Sequence, residues 1–196
     1  MKDTLAELQD GRPVVLATDT VFGIAALAGS PGCQKIYELK QRPLGQPLPW
    51  LIADASWLQR YGADIPSYAI ALAKMFWPGA LTLVVRASDE ARAIGGVAQD
   101  GTVALRVPDS SVCLGLLQEL DKPLACTSAN IHGEPACTHV QDLPSSMRPL
   151  ATLGDACSGG LASTLVDCTG DFAVIIREGA IPAHVVLQVA ALLADE

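Results

Sequence analysis

Residues 14–20 read VVLATDT, an apolar run followed directly by three polar residues. Residues 124–130 read LACTSAN and repeat this arrangement. Short continuous apolar runs bounded by polar residues are typical of strands that are covered on both faces. Ligands of open sheets commonly bind at strand ends, which is where these polar side chains would lie. The two stretches therefore predict a sheet whose strand ends carry a binding site.

Further strands and helices follow one another along the chain. The predicted strands are 14–17, 48–53, 81–85, 103–105, 124–126, 165–166 and 173–176, and the predicted helices are 5–8, 33–40, 57–61, 68–76, 112–120 and 185–193. Gly170-Asp171, between the last two strands, predicts a hairpin turn. Residues 87–101 and 132–162 are predicted to be loops. Together these elements predict an α/β (α+β) fold, with a twisted, mixed parallel and antiparallel sheet flanked by helices.

Composition narrows the class of protein. The chain has 196 residues, 50% of them hydrophobic, which suits one well-buried core, so we predict a single domain over residues 1–196. The formal net charge of −8 argues against a broad basic surface for nucleic acid, although it allows a local basic cleft. The chain has no run of about 18 apolar residues, so no membrane span is predicted. Six scattered cysteines without a C-x-x-C pair predict free thiols and a cytoplasmic location.

Four polar clusters are candidates for the chemistry. Two of them, residues 18–20 and 127–130, belong to the opening stretches. The third, KQRP at 40–43, closes a predicted helix, and its proline disfavours helical geometry at the arginine. That change of direction would turn the lysine and the arginine toward one anion. The fourth cluster combines residues 163–164 with Arg177 at the end of the last predicted strand.

Each cluster taken alone also has a purely structural interpretation. Lys40 and Arg42 would complement a helix dipole, residues 18–20 would form an ordinary polar turn, and Arg177 would pair with Glu178 at the surface. The sequence lacks the glycine-rich phosphate motifs, the nucleophile elbow and the metalloprotease motif. Its three histidines lack the spacing of metal ligands, so no metal site is predicted. Taken together, the clusters indicate a site that positions anions and small polar groups.

In this order the clusters also carry the motifs of a known family. The chain resembles the YrdC/TsaC family, the L-threonylcarbamoyladenylate synthases, in the short form that has a single YrdC-like domain. The matching segments are ATDTVFG (17–23), KQRP (40–43), WPGALT (77–82), RVP (106–108), TSAN (127–130), STLVD (163–167) and REG (177–179). The resemblance extends over nearly the whole chain.

The resemblance implies an enzyme, a nucleotidyltransferase that uses L-threonine, bicarbonate or CO2, and ATP. The threonine amine becomes a carbamate, which attacks the α-phosphorus of ATP to give threonylcarbamoyl-AMP and pyrophosphate. A tRNA threonylcarbamoyltransferase complex then modifies adenosine 37 of tRNAs that read ANN codons. ATP is therefore expected as a substrate, with Mg²⁺ held mainly by the triphosphate.

The resemblance also implies roles for individual residues. Lys40 and Arg42 are expected to be catalytic. Contacts with ATP are expected from Lys40, Arg42, Gln46, Thr82, Ser128, Asn130 and Arg177, and contacts with threonine from Thr20, Arg86 and Ser163. The chain departs from the family at Ala17 and Ala162, where proline is usual, and at Gln46, where lysine or asparagine is usual. The missing cation at position 46 is expected to weaken phosphate binding, although an amide can still donate a hydrogen bond.

Two other functions remain open at this stage. The first is a YrdC-like module that binds RNA or a nucleotide without making an adenylate. The second is a related domain that delivers a carbamoyl group to another acceptor. Salt-dependent binding of tRNA or duplex RNA that survives Arg42→Ala would favour the first, whereas release of pyrophosphate only in the presence of threonine would favour the enzyme.

Overall fold

A computed structural model describes residues 1–192. The strands are β1 Val14–Ala17, β2 Phe22–Leu27, β3 Trp50–Leu51, β4 Gly62–Ala63, β5 Leu81–Ala87, β6 Thr102–Arg106, β7 Leu124–Ser128, β8 Thr152–Leu153, β9 Thr164–Asp167 and β10 Val174–Arg177. The helices are α1 Lys2–Gln9, α2 Pro31–Lys40, α3 Trp57–Tyr61, α4 Ser67–Phe76, α5 Asp89–Ile94, α6 Ser111–Leu120 and α7 Ala183–Leu192. Leu193, the last residue of a predicted helix, and residues 194–196 of the predicted domain lie outside the described part.

The strands form one mixed sheet in the order β10-β9-β5-β6-β3-β7-β2-β1-β8, and β4 pairs with β5. The pairs β1–β8, β3–β6 and β5–β9 are parallel, and the other pairs are antiparallel. This confirms the predicted mixed sheet. Strands β9 and β10 are joined through Gly170-Asp171 as an antiparallel pair, so the predicted hairpin is confirmed as well. Within residues 1–192, no helix has the length and apolar character needed to cross a membrane.

Four elements were absent from the sequence prediction, namely β2, β4, β8 and α5. The short strand β8 lies inside the predicted loop 132–162, which was therefore wrong for residues 152–153. Strand β2 contains Gly23 and two alanines and has few β-branched residues, but it is paired on both sides, with β1 and β7. Pairing in the folded sheet overrides its weak local preference for a strand. Helix α5 lies inside the predicted loop 87–101, which was therefore wrong for residues 89–94. The hydroxyl of Ser88 caps this helix by accepting a hydrogen bond from the amide of Ala91 (3.2 Å).

The central strands present different residues to the two faces of the sheet. On β5, Leu83 and Val85 are buried in the hydrophobic core, whereas Thr82 and Val84 line a cavity on the opposite face. Strands β6 and β9 follow the same alternation, because successive side chains of a strand point to opposite faces. The residues of these two strands that face the cavity are Thr102, Ala104, Arg106, Leu165 and Asp167. One face of the sheet thus builds the core and the other forms the floor of a site.

Candidate functional site

The cavity on this face has a volume of about 780 Å³, within the usual range for small-molecule sites. Seven of the ten site residues expected from the sequence line it: Thr20, Arg42, Gln46, Thr82, Ser128, Ser163 and Arg177. They come from six separate parts of the chain, and the fold brings them together. The lining does not include Lys40, Arg86 and Asn130.

Arg42 and Arg177 give one end of the cavity its positive charge. Arg42 follows α2, which ends where Gln41 adopts a left-handed conformation (φ 53°). Its Nε donates to the carbonyl of Gln46 (3.3 Å) and its Nη2 to that of Pro47 (3.4 Å), so the arginine also holds the 43–47 loop. Arg177 reaches the same cavity from β10, where its Nη2 donates to the carbonyl of Ser163 (2.9 Å).

Burial lowers the pKa of both guanidinium groups. Repulsion lowers them further, because Arg42 lies near Arg177 and Arg177 lies near Arg106. Arginine nevertheless stays protonated in proteins. Two neighbouring cations, Arg42 and Arg177, in a partly enclosed space produce a positive potential that attracts anions. This charge pattern favours a ligand with several negative charges.

Arg106, which was not among the expected site residues, joins three parts of the cavity wall. Its Nη2 forms an ion pair with Oδ1 of Asp19 (2.6 Å), its Nη1 donates to the hydroxyl of Thr20 (3.1 Å), and its Nε donates to the carbonyl of Gly79 (2.9 Å). The two charged side chains are only 8% and 10% exposed. The sequence signal was the RVP segment at 106–108. This segment is part of the family resemblance, but the resemblance did not imply a function for Arg106.

The loop between β1 and β2 is held in shape by Thr18. Its hydroxyl accepts from the amides of Thr20 (3.1 Å) and Val21 (3.2 Å) and donates to the carbonyl of Val21 (2.7 Å). Such local bonds from a threonine are typical of turns. The polar-turn interpretation therefore holds for Thr18, and this turn places Thr20 at the cavity.

Thr82 and Ser163 form a buried pair of hydroxyl groups, with their oxygens 2.7 Å apart. Thr82 belongs to β5, and Ser163 immediately precedes β9, the parallel neighbour of β5. Gly179 fixes the backbone beside them, because a Cβ at this position would lie 2.2 Å from the carbonyl oxygen of Ala162 and 2.6 Å from that of Ser163. The glycine of the REG segment is therefore required for the backbone of residues 162–163 to lie where it does.

Lys40 and Asn130 lie behind the cavity wall instead of lining it. Lys40 is 2% exposed. Its ammonium group donates to the carbonyls of Ser128 (2.5 Å) and Asn130 (2.7 Å) and to Oδ1 of Asn130 (3.0 Å). Neither residue lines the cavity. Protein oxygens accept from all three donors of Lys40. The expected contacts of Lys40 and Asn130 with ATP stay predictions.

Arg86 lies on the same face of β5 as Thr82 and Val84 but two residues further along, where it is exposed. The neighbouring end of the cavity is acidic, since Asp100 and Asp167 line it. The cavity therefore carries cations at one end and carboxylates at the other. Arg86 itself lies outside the lining, and its expected contact with threonine stays a prediction.

Comparison with known proteins agrees with this architecture. Residues 6–179 match the model of the Sua5/YciO/YrdC family, which carries the description telomere recombination. A threonylcarbamoyl-AMP synthase of Bacillus subtilis is 36% identical over 181 residues, covering 90% of this chain and 52% of that protein. A putative threonylcarbamoyl-AMP synthase of Mycobacterium leprae is 33% identical, covering 94% of this chain and 85% of that protein.

Among solved structures, Pyrococcus abyssi Sua5 complexed with L-threonine superposes with a TM-score of 0.85. It is 32% identical, and the match covers 96% of this chain and 56% of that one. The chain spans about half the length of the first curated relatives that it matches. The family match nevertheless extends over most of its residues. The chain therefore belongs to the Sua5/YciO/YrdC family.

Proposed function

We propose that this chain is an L-threonylcarbamoyladenylate synthase, which uses L-threonine, bicarbonate or CO2, and ATP. The observation that carries the proposal is the convergence of Arg42, Arg177, Thr82 and Ser163 on one cavity. Two guanidinium groups suit phosphate, and two buried hydroxyl groups suit the polar atoms of an amino acid. The names of the curated relatives and the L-threonine in the Pyrococcus abyssi Sua5 complex support the same substrates.

In this reaction the substrates supply the nucleophile. The threonine amine adds to the carbon of CO2 and loses a proton, giving a carbamate. A carbamate oxygen then attacks the α-phosphorus of ATP, so that a new C–O–P link forms while the bond from the α-phosphorus to the bridging oxygen breaks. Pyrophosphate leaves with that bond's electrons. The protein contributes alignment of the two reactants and stabilisation of negative charge.

The nucleotide would occupy the cationic end of the cavity. Arg42 and Arg177 would each donate to phosphate oxygens, for which a guanidinium offers paired donors. The amide of Gln46, also in the lining, would add a neutral donor. Ser128 already donates its hydroxyl proton to Oδ1 of Asn130 (2.6 Å). In this arrangement Ser128 offers lone pairs to the cavity, which suit a ribose hydroxyl better than a phosphate.

Threonine would bind beside the phosphates. Thr20 and Ser163 would hold its polar groups, with Thr82 bonded to Ser163 and Arg106 bonded to Thr20. Thr20 and Ser163 both lie close to cations, because Arg106 donates to Thr20 and Arg177 donates to the carbonyl of Ser163. A carboxylate would be favoured beside these cations, and the carbamate formed on the amine would face the phosphate end of the cavity.

Mg²⁺ would be held mainly by the triphosphate, whose negative charge it would help to neutralise. Residues 1–192 contain no group of three or more His, Cys, Asp or Glu side chains that could hold a metal ion. Asp100 and Asp167 line the cavity, but Oδ1 of each accepts two hydrogen bonds from a threonine two residues later. The side chains present thus suit a metal that arrives with its nucleotide.

The product would be passed to a tRNA threonylcarbamoyltransferase complex in the cytoplasm, for modification of adenosine 37 in tRNAs that read ANN codons. The alternative, an RNA-binding module, is less well supported by the charges. The cations are gathered within a cavity sized for small molecules, and the chain as a whole carries a net charge of −8. RNA binding through phosphates would show a steep dependence on salt.

The direct test is release of pyrophosphate from ATP with each substrate omitted in turn. We expect release only when threonine and bicarbonate are both present. An Arg12→Ala variant serves as a control, because Arg12 is exposed and pairs with Glu7 and Asp10 on the surface. Release without threonine, or no release from the wild-type protein, would contradict the proposal.

Replacing Ser163 by alanine should weaken threonine binding selectively. The change removes one buried hydroxyl and leaves Thr82 without its partner at 2.7 Å. We expect the KM for threonine to rise roughly ten-fold, as for loss of one hydrogen bond to a charged group, while the KM for ATP changes less than about three-fold. Steady-state kinetics with each substrate varied in turn measures this, with exposed Ser146→Ala as control. An equal effect on both substrates would show that this partition of the cavity is wrong.

A further inference from the structure

Three arginines surround the buried hydroxyl pair of the cavity. Arg106 on β6 lies beside Thr82 on β5, as the antiparallel register of these strands requires. On the other side of Thr82, Leu165 of β9 pairs with Arg177 of β10. Arg42 lies near Arg177. Guanidinium groups therefore stand on both sides of the hydroxyl pair, and either side offers donors to an anion.

The two sides differ in how their charge is compensated. The guanidinium of Arg106 forms an ion pair with Asp19 at 2.6 Å. Within residues 1–192, Arg42 and Arg177 form no ion pair with a carboxylate, and their guanidinium groups donate to backbone carbonyls. An arginine paired with a carboxylate contributes little net potential, because the two charges nearly cancel at a distance. The positive potential of the cavity is thus strong on the side of Arg42 and Arg177 and weak on the side of Arg106.

Asp19 influences the cavity only through Arg106. Its carboxylate is 10% exposed and does not belong to the cavity lining, whereas the neighbouring Thr20 does. The hydroxyl of Thr20 (3.1 Å) and the carbonyl of Gly79 (2.9 Å) accept from the same guanidinium. Buried charges are screened much less than exposed ones. The charge of Asp19 therefore acts on the cavity, although its carboxylate is kept from contact with a ligand.

We propose that Asp19 is a positioning residue that sorts the two substrates, because it cancels the charge of Arg106 and so keeps the triphosphate on the side of Arg42 and Arg177. The proposal rests on the proposed function, since ATP and threonine are taken as the two ligands. A triphosphate carries several negative charges and loses most of its attraction to a neutralised arginine. Threonine enters as a zwitterion without net charge and loses little. The guanidinium of Arg106 thereby stays available to a carboxylate.

Without the Asp19 carboxylate the cavity would not distinguish its two sides. Arg106 lies close enough to Arg177 to lower the pKa of that guanidinium. Three uncompensated arginines around one hydroxyl pair would attract a polyanion to both sides. A triphosphate that extended across Thr82 and Ser163 would occupy the place proposed for threonine. Removal of the Asp19 charge should therefore make ATP a competitor of threonine.

The matched variant is Asp19→Asn. Asparagine keeps a side-chain oxygen that accepts from Arg106 and loses only the charge. The probe is inorganic tripolyphosphate, which has the charges of the ATP chain without the nucleoside. Titration calorimetry should show that tripolyphosphate binds about ten-fold more tightly to Asp19→Asn than to the wild-type protein. Unchanged affinity would overturn the proposal.

Competition between tripolyphosphate and threonine is the second measurement. At about ten times its own Kd, tripolyphosphate should raise the apparent Kd for threonine about ten-fold in Asp19→Asn and less than about three-fold in the wild-type protein. Competition in the wild-type protein would overturn the proposal. So would an equally large loss of threonine affinity in Asp19→Asn without tripolyphosphate, since Asp19 would then hold Arg106 in place instead of cancelling its charge.

Two further variants test whether the effect comes from the charge of Arg106. Asp19→Asn combined with Arg106→Gln removes both charges and should bind tripolyphosphate as tightly as the wild-type protein. Asp109→Asn makes the same change in net charge as Asp19→Asn, at an exposed position outside the lining, and should not tighten binding. A gain that persists in the double variant, or that Asp109→Asn reproduces, would contradict the proposal.

Turnover provides a readout that a purely structural role of Asp19 would not produce. In Asp19→Asn, the KM for threonine should rise with the concentration of ATP, whereas kcat at saturating threonine should change less than about three-fold. A lower kcat with a KM for threonine that is independent of ATP would mean that Asp19 only maintains the structure of the site.

The tripolyphosphate titrations need no turnover, so they separate two kinds of failure. A wild-type protein that releases no pyrophosphate would overturn the proposed function, whereas the affinities for tripolyphosphate would still decide whether Asp19 limits anion binding. If Asp19→Asn does not fold, the competition experiment on the wild-type protein decides the question without it.

Discussion

Arg42→Ala should raise the KM for ATP by roughly 30-fold, which corresponds to about 2 kcal/mol for a lost bond to a charged group. Two causes act together. The variant removes a cation from the cavity and releases the 43–47 loop, whose carbonyls at Gln46 and Pro47 accept from the Arg42 guanidinium. The KM for threonine should change less than about three-fold, because the buried hydroxyl pair Thr82–Ser163 is untouched.

Kinetics with ATP and threonine varied separately measures both parts of this result. Arg42→Lys separates charge from geometry, since lysine keeps the charge but loses the paired donors of the guanidinium. We expect it to recover part of the affinity for ATP. Arg12→Ala, at an exposed position, should behave like the wild-type protein. An Arg42→Ala variant that affects threonine as strongly as ATP would place Arg42 between the substrates instead of at the phosphates.

Asp19→Ala should lower the free energy of unfolding by about 3–5 kcal/mol, the usual cost of leaving a buried charge without its partner. Arg106 would keep its bonds to the hydroxyl of Thr20 and the carbonyl of Gly79 but would lose its ion pair at 2.6 Å. The residues of this pair are 8% and 10% exposed, so water could not easily replace the carboxylate. Denaturation by urea measures the change.

Two variants control this result. Glu38→Ala breaks the exposed pair with Lys35 and should cost less than about 1 kcal/mol. Asp19→Ala combined with Arg106→Met removes both charges, so it should be less destabilised than Asp19→Ala alone. If Asp19→Ala and Glu38→Ala lower the free energy of unfolding by the same amount, the buried Asp19–Arg106 pair contributes no more to stability than an exposed pair, and the account of this pair is wrong.

The parts of the fold that were correctly predicted from the sequence are those with a strong local signal. Strand β1 is an uninterrupted apolar run, and Gly170-Asp171 carries the chemistry of a hairpin turn, so both were correctly predicted. Strand β2 was missed because its pattern is set by partners 100 residues away in β7. Helix α5 was missed because it has only six residues and half of them are charged, although Ser88 and the two acidic residues after it are an N-terminal signal.

The site was predictable where residue type and position at a strand end are sufficient. Ser128 and Ser163 follow this rule, and both line the cavity. Lys40 shows the limit of this rule. The sequence does not specify whether an ammonium group points outward to a ligand or inward to the carbonyls of a neighbouring strand. Arg106 was overlooked for a related reason. Its partners Asp19 and Thr20 lie more than 80 residues away and became apparent only with the fold.

The central claim is that threonine, in its carbamate form, meets the α-phosphate of ATP in this one cavity. Incubation with ATP, threonine and ¹³C-bicarbonate, followed by ¹³C and ³¹P NMR, tests it most directly. We predict an adenylate whose labelled carbamoyl carbon is coupled to the α-phosphorus, formed together with pyrophosphate, and absent when threonine is omitted. Pyrophosphate release with an adenylate that contains no ¹³C would mean that the threonine carboxylate attacks instead, and it would contradict the account.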